Sequence, residues 1–356
     1  MSLVPQSVRE RYGFEHAMFT PITAGHLNQT LRVDVDGARF ILQCLNTIFG
    51  AEIHEDIYAV TEHLTRAGLI TPRLFRTRDG ELFVRDERVY RVFTFVEGAT
   101  HLKSTSPVLC QSAAALLGQF HTALLDLQHV FVNKRGNIHG PQRHADHLRR
   151  TLEKYVAHEH FSEVSPIADE ILAGIAALPP FESLPTRVVH GDPKISNVLF
   201  GARDEALCLV DLDTLYPSNI AFELGDAFRS WCNPFEEDDA SSHIDLAYFE
   251  AGVGGYAAGA GSFVTREEAH AITLGVEAIA LELAARFTAD ALEESYFGWD
   301  TKRFKRSAEH NLARGKGQLA IARSVQTRRD TLQGIVESAF AETIKSRNFG
   351  PATATS

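Results

Sequence analysis

Apolar and polar positions change their period once along this chain. In the first hundred residues, short runs that alternate or are rich in β-branched side chains lie at 31–35, 39–45, 82–85 and 89–96, punctuated by Asp36-Gly37 and Asp79-Gly80. Period-two runs joined by Asp-Gly turns predict an antiparallel sheet. The stretch 17–22 adds a first strand. Ile53, Ile57, Val60 and Leu64 recur at helical spacing and Gly68 follows them, which predicts a single helix inside this region. After Glu97-Gly98 the period becomes helical, at 108–127, 145–157, 167–178, 269–292 and 319–344, interrupted by a loop from 190 and a short strand at 207–211. The pattern predicts an α+β protein of two lobes: a small antiparallel-sheet lobe with one helix over 1–97, and a larger, mostly helical lobe over 98–347. Residues 348–356 are mostly small or polar and are expected to form a disordered tail.

At 356 residues the chain exceeds what one hydrophobic core usually organises, which favours two packed units sharing a cleft. The net charge of −11 and the absence of any long Lys/Arg run argue against nucleic acid or an anionic membrane as a partner. The longest apolar runs, near 113–117 and 278–281, are far too short to span a bilayer. Cys44, Cys110, Cys208 and Cys232 are widely separated, with no C-x-x-C pair, and the N-terminus carries no secretory pattern. They read as buried thiols of a cytoplasmic protein.

The chemistry concentrates in His190-Gly191-Asp192-Pro193-Lys194-Ile195-Ser196-Asn197 and in Val210-Asp211-Leu212-Asp213. Gly, Asp and Pro alone make an ordinary turn. Here a carboxylate is followed by an amide and then, after an apolar strand, by a second carboxylate, at the spacing with which kinase-type enzymes orient an acceptor hydroxyl and hold magnesium. Asp192 is the candidate base, and Lys194 can reach the transferred phosphoryl oxygens. Asn197 and Asp211 are candidate oxygen ligands for Mg2+, a hard cation, with Asp213 as a further one. His190 is read as a brace for the loop.

These segments, together with Leu117-Gly118-Gln119-Phe120-His121, resemble the H-G-D-x-x-x-x-N loop, the metal-aspartate segment and the Leu-Gly-x-Phe-His helix of the aminoglycoside phosphotransferase and choline kinase-like superfamily. Within it, Gly25-His26-Leu27-Asn28, Arg39-Phe40-Ile41-Leu42-Gln43, Asp211-Leu212-Asp213-Thr214, Leu224-Gly225-Asp226, Arg286-Phe287 and His310-Asn311-Leu312 are similar to segments of the N-acetylhexosamine 1-kinases. The resemblance implies a two-lobed protein-kinase-like fold with ATP, or GTP, and Mg2+ in the cleft. It further implies transfer of the γ-phosphate to a sugar, at the anomeric hydroxyl of GlcNAc, GalNAc or a related hexose. Gly191 is a departure inside the loop, because those kinases carry Asn there.

On the nucleotide side, the segment with Gly25, His26 and Asn28 is expected to lie over the triphosphate. Arg39, Ile41 and Gln43 share one strand face because strand side chains alternate. Ile41 would pack on the adenine, while Gln43 stands where most kinases keep their phosphate-binding lysine. Arg39 is the local candidate for the missing positive charge, although a strand-end arginine often just covers apolar surface. Phe95, Val96 and Glu97, before Gly98, are the expected hinge that reads the adenine edge.

On the acceptor side the candidates are Gly191, Asp192, Asp226, Arg229, Arg286 and Tyr296. Arg286 has Glu282 four residues before it and Asp290 four after, which is also what a plain helical ion-pair ladder looks like. His139-Gly140-Pro141 resembles a loop near the sugar site. Two other readings stay open at this point. One is a kinase for an amino alcohol, aminoglycoside, homoserine-like or thioribose acceptor. The other is a nucleotide-binding pseudokinase, suggested by the absent lysine.

Overall fold

A computed structural model describes residues 3–22, 28–133 and 138–341. Five strands, β1 (Met18–Ile22), β2 (Gln29–Val35), β3 (Ala38–Cys44), β4 (Val84–Arg85) and β5 (Val89–Thr94), form one antiparallel sheet in the order β1-β2-β3-β5-β4. The β2–β3 hairpin turns on Asp36 and Gly37, both at positive φ (49° and 77°), the backbone that a two-residue hairpin of the right twist demands. β4 is shorter than the run at 82–85 suggested, and β5 ends at Thr94, where the chain leaves the ladder for the segment 95–98.

Alternation gives the sheet two different faces. Leu31, Val33, Leu42, Val84 and Val92 pack against Val8, Tyr12 and Phe14 at the outer face. This outer layer rests on α1 (Gln6–Tyr12), a helix that the sequence pattern did not announce, since Val8 and Tyr12 are its only buried positions. The inner face carries Ile41, Gln43, Arg91 and Phe93. Below it lies α2 (Ile53–Arg66), whose buried Ile53, Ile57, Val60 and Leu64 are the expected stripe and join the core of the helical region.

The helical region holds α3 (Pro107–Ala123), α4 (Pro141–Lys154), α5 (Phe161–Ala176), α6 (Ile220–Trp231), α7 (Leu246–Ala260), α8 (Arg266–Glu293), α9 (Ser307–Thr327) and α10 (Arg329–Ala339). Local signals start several of them. Ser106 caps α3 by accepting from the Leu109 N–H with Pro107 in the first turn, and Thr265 and Glu268 form a reciprocal capping box on α8. α7 is not among the expected helices, and it carries Gly252, Gly254, Gly255 and Gly259. Gly254 faces open space, but the other three serve packing: a Cβ at Gly255 or Gly259 would overlap the Gln111 or Ala115 carbonyl, so α7 lies directly on the backbone of α3. The helix expected over 319–344 is two helices. α9 begins at Ser307 and the chain bends at Arg328 before α10. The end of that expected helix and the expected tail lie outside the described residues.

Between α5 and α6 the chain makes two short ribbons. β6 (Arg187–Val189) pairs with β9 (Tyr216–Ser218), and β7 (Val198–Phe200) pairs with β8 (Ala206–Leu209). The expected strand at 207–211 is β8, which stops two residues early and leaves Asp211 beyond its end. All four cysteines are buried free thiols. No helix among the described residues is long and apolar enough to cross a membrane.

Candidate active site

The loop after β6 is held at both ends by buried apolar side chains, Ile195, Val198, Leu212 and Leu215. At Gly191 φ is +84°, and a Cβ would overlap the Thr214 carbonyl and crowd the Tyr216 ring, so only glycine fits. The His190 and Gly191 N–H groups donate to the two carboxylate oxygens of Glu223, at 2.8 and 3.0 Å. Glu223 lies on α6, a helix started by Asn219 accepting from the Phe222 N–H. It is fully buried. Burial alone would raise its pKa, yet His121, His190 and the Gly191 N–H together hold it below the usual carboxylate range.

His190 Nε2–H donates to the Val210 carbonyl at 2.8 Å, while its Nδ1 accepts the Asp192 N–H at 3.3 Å. The ring therefore staples the turn at Asp192 to the chain just before Asp211. Asp192 Oδ2 receives Lys194 Nζ at 2.6 Å and Asn197 Nδ2 at 3.1 Å. Burial disfavours the Lys194 charge, but Asp192, and beyond it Asp211 and Asp226, raise its pKa regardless. Asp211 has a left-handed backbone (φ 63°). Its carboxyl is pushed up to about 6 by burial first and then by repulsion from Asp213 and Asp192.

On the nucleotide side, Gly25 and His26 lie outside the described residues. Arg39 reaches away from Gln43: it pairs with Glu97 at 2.6 Å and lies over the Phe95 ring at 4.4 Å, half-exposed. The cation beside Gln43 is one that the sequence reading missed. Arg91, directly opposite on β5, donates from Nε and Nη2 to Gln43 Oε1 at 3.0 and 2.8 Å. Its Nη1 lies 2.6 Å from Asp213 Oδ1, an ion pair with both side chains 1% exposed. Asp213 Oδ2 accepts from Asn28 Nδ2 at 2.8 Å. Asp213, proposed from the sequence as a further metal ligand, thus has both oxygens engaged by protein. Two of the three α2 carboxylates are committed elsewhere and the third, Glu55, is exposed: Asp56 accepts from His129, Val132 and Asn133, and Glu62 faces Arg73.

The acceptor-side candidates are linked by a chain of buried charges. Arg229 donates from Nε and Nη2 to Asp226 Oδ1 (3.0 and 2.7 Å), and Asp226 acts in turn on Lys194 and His139. Glu282, fully buried on α8, accepts from His139 Nδ1 at 3.2 Å and from the Gly140 N–H at 2.7 Å. Arg286 Nη1 lies at 4.0 Å from the same carboxylate and its guanidinium sits 5.5 and 6.0 Å from the Phe297 and Tyr296 rings. The ladder reading fails on its other rung. Asp290 accepts from the Ser295, Tyr296 and Phe297 N–H groups and shapes the loop that presents Tyr296, which is 71% exposed. Gly191, in contrast, turns its open side into protein, with its N–H on Glu223. A cleft of about 600 Å³ opens beside His139, walled by Arg143, Phe181, Asn219 and Phe222 rather than by the catalytic-loop carboxylates.

Residues 19–261 match the family described as phosphotransferase enzymes. The chain belongs to that family. Among solved structures, the phosphotransferase is similar to an aminoglycoside phosphotransferase from Alicyclobacillus acidocaldarius at 19% identity and a TM-score of 0.62, over 94% of this chain and 98% of that one. It is also similar to an amicoumacin kinase in complex with AMP-PNP, Ca2+ and Ami (14% identity, TM-score 0.59, 88% and 90% coverage). A third is an ethanolamine kinase from Plasmodium vivax (12% identity, TM-score 0.56, 89% and 85% coverage). At these identities the likeness establishes the fold: a small antiparallel sheet over a larger helical region, as in protein kinases.

The donor set in the phosphotransferase fits a hard divalent cation. Asn197 spends its amide nitrogen on Asp192, which leaves its oxygen as the ligand atom, and Asp211 is a crowded carboxylate in need of a counter-charge. No trio of His, Cys, Asp or Glu able to hold a metal occurs among the described residues.

Proposed function

We propose that this phosphotransferase is a magnesium-dependent small-molecule kinase, with residues 1–97 as the nucleotide-binding lobe and 98–347 as the catalytic and acceptor lobe. It transfers the γ-phosphate of ATP to a sugar hydroxyl, and the anomeric hydroxyl of an N-acetylhexosamine is the acceptor group that the resemblance favours. The observation that carries the chemistry is Asp192. Its Oδ2 is held by Lys194 and Asn197, while its Oδ1 is left without a protein donor among the described residues. Oδ1 is the atom placed to take the acceptor proton as the new O–P bond forms and the bond from phosphorus to the bridging oxygen breaks, releasing ADP. Lys194 lies beside that transfer and can neutralise charge on the phosphoryl oxygens. Asn197 and Asp211 would hold Mg2+, which screens the phosphate charge when bound.

A specific feature favours a neutral, hydroxyl-rich acceptor over a cationic amine. The buried carboxylates beneath the acceptor side are already paired, Asp226 by Arg229, Glu282 by His139 and Asp290 by backbone N–H groups, and only the exposed Glu182 at the cleft rim has no such partner among the described residues. The group left facing Tyr296 is a guanidinium, and an exposed aromatic ring is a suitable platform for the C–H face of a sugar. ADP release should be measured with Mg2+, ATP and a panel of free hexoses, N-acetylhexosamines and amino alcohols, with phosphorus NMR of the product. Turnover with an N-acetylhexosamine and a 1-phosphate signal is expected. Turnover confined to amino alcohols or aminoglycosides would overturn the sugar reading, and no ADP release with any acceptor would overturn the kinase reading.

A further inference from the structure

We infer that Arg91 and Asp213 form a positioning pair that joins the sheet to the metal-binding segment, and that this pair is the reason the chain carries no lysine at Gln43. The inference rests on the kinase reading above and concerns how that machinery is held. In the arrangement expected of kinases, a lysine on the third strand is paired with a glutamate from the helix below the sheet. Here strand three carries Gln43, and the α2 carboxylates Asp56 and Glu62 face His129 and Arg73 instead.

The charge has moved one strand over. Gln43 and Arg91 are cross-strand partners, and the Gln43 amide is oriented by donating from Nε2 to Thr30 Oγ1 at 3.2 Å, so that its oxygen faces the guanidinium. A lysine at 43 would set an ammonium against Arg91 in a buried place, where like charges repel with little screening. Glutamine is the side chain of similar reach that accepts from the arginine rather than opposing it.

The far end of the guanidinium meets Asp213, whose second oxygen is tied by Asn28. Asn28 also accepts the Asn46 N–H at 2.8 Å through its Oδ1, so the start of β2, the end of β3 and β5 converge on one carboxylate. Asp213 is separated from Asp211 only by Leu212, which is anchored in the core at 3% exposure. Fixing Asp213 therefore fixes the short left-handed turn that presents Asp211. With both partners 1% exposed, the pair is shut off from any bound phosphate. Arg91 acts through Asp213 and the turn, not by touching nucleotide.

The test uses the full chain and the Mg2+ dependence of binding to a fluorescent ADP analogue, a readout that requires no acceptor. Removing one buried charge alone invites misfolding. The main variant is therefore the neutral exchange Arg91→Gln with Asp213→Asn, and Arg91→Lys is the second. In a variant that melts cooperatively, affinity for the analogue without Mg2+ should be nearly unchanged. The Mg2+ concentration for half-maximal tightening should rise by about tenfold or more, as when the partners that orient a metal ligand are removed. Arg91→Lys, which keeps the charge but loses the fork, should fall between. Half-saturating Mg2+ matching wild type in a folded variant would overturn the pair's role. If the neutral exchange does not fold, Arg91→Lys decides on the same criterion. Failure of the wild-type protein to bind the analogue at all would instead overturn the kinase reading beneath the inference.

Discussion

Two buried glutamates organise this molecule, one beneath the catalytic loop and one beneath the acceptor side, and they do so in parallel ways. Glu223 on α6 accepts two consecutive backbone N–H groups, from His190 and Gly191, with His121 beside it. Glu282 on α8 accepts the Gly140 N–H, with His139 donating to its other oxygen. Both stay ionised in the core because donors converge on them. They differ in what they hold. Glu223 clamps a continuous stretch in which the reacting groups lie within a few residues of one another. Glu282 joins its own helix, with Arg286 one turn on, to the loop before α4, more than 140 residues earlier in the chain. The first site is a local device and the second a long-range assembly, which is why the reaction and the acceptor are encoded so differently.

The largest expected effect lies on the catalytic side. Asp192→Ala should leave nucleotide binding nearly intact and lower turnover by about 10² to 10⁴-fold, the range for loss of a positioned base. Equilibrium binding of an ATP analogue and single-turnover kinetics separate the two. Turnover kept with affinity lost would show that Asp192 serves nucleotide binding rather than proton transfer.

Substituting the two glutamates tests the parallel directly. Glu223→Ala strands two buried N–H groups, at about 1–3 kcal/mol each, and should lower kcat with little change in the acceptor KM. Glu282→Ala strands the Gly140 N–H and frees His139, and should raise the acceptor KM while kcat at saturation is kept to within about tenfold. The same pattern of kcat and KM from both variants would dissolve the distinction between a loop clamp and an acceptor-side clamp.

Arg286 gives a smaller and more selective effect. Arg286→Ala should raise the acceptor KM by roughly tenfold, about the 1.4 kcal/mol of one charge-assisted contact, with the ATP KM unchanged. Arg286→Lys should recover only part, because a lysine lacks the planar fork. An ATP KM that rises with the acceptor KM would move Arg286 out of the acceptor site.

How these parts could be read from sequence follows the same division. The Asp192, Asn197 and Asp211 constellation is legible because its members are close in sequence and bonded through the loop's own backbone. The two-layer organisation is legible from the switch in period at Gly98. Arg91 is not, because a strand arginine between Tyr90 and Val92 reads as one more polar position on an alternating face. The signal available was its place inside an apolar run, opposite a glutamine that had replaced a lysine. Arg39, the expected cation, is spent on Glu97 at the surface. α7 was hidden because Gly255 and Gly259 are demanded by contact with α3, and a contact between helices distant in sequence leaves no local period. The His139 to Glu282 pair was hidden for the same reason.

That pair supplies the mildest test, through pH. Burial alone would lower the His139 pKa, but Glu282 and, farther off, Asp226 outweigh both it and Arg286, so His139 is raised above its ordinary value in the folded protein. A base that binds its proton more tightly when folded contributes stability that is complete below the unfolded pKa of about 6.5 and is lost as pH rises through the folded value. Glu282 is shifted down despite burial, so its contribution is present above the ordinary carboxylate pKa and is lost as pH falls through its lowered value. The pair therefore stabilises the acceptor side from mildly acidic conditions to somewhat above pH 6.5. His144 on α4 also faces Glu282, but burial and Arg286 lower its pKa, so it titrates on the acid side and does not confuse the upper limb. Raising the pH past 6.5 should lower Tm by about 2 °C for each kcal/mol lost in a protein of this size, and His139→Gln should flatten that limb and weaken the acid limb with it, because His139 is the main influence that holds Glu282 down. A wild-type Tm that is level above pH 6.5, or a slope unchanged in His139→Gln, would mean that His139 is not charged beside Glu282. Glu282 would then be held by the Gly140 N–H, with Arg286 at 4.0 Å, unlike the doubly held loop above Glu223.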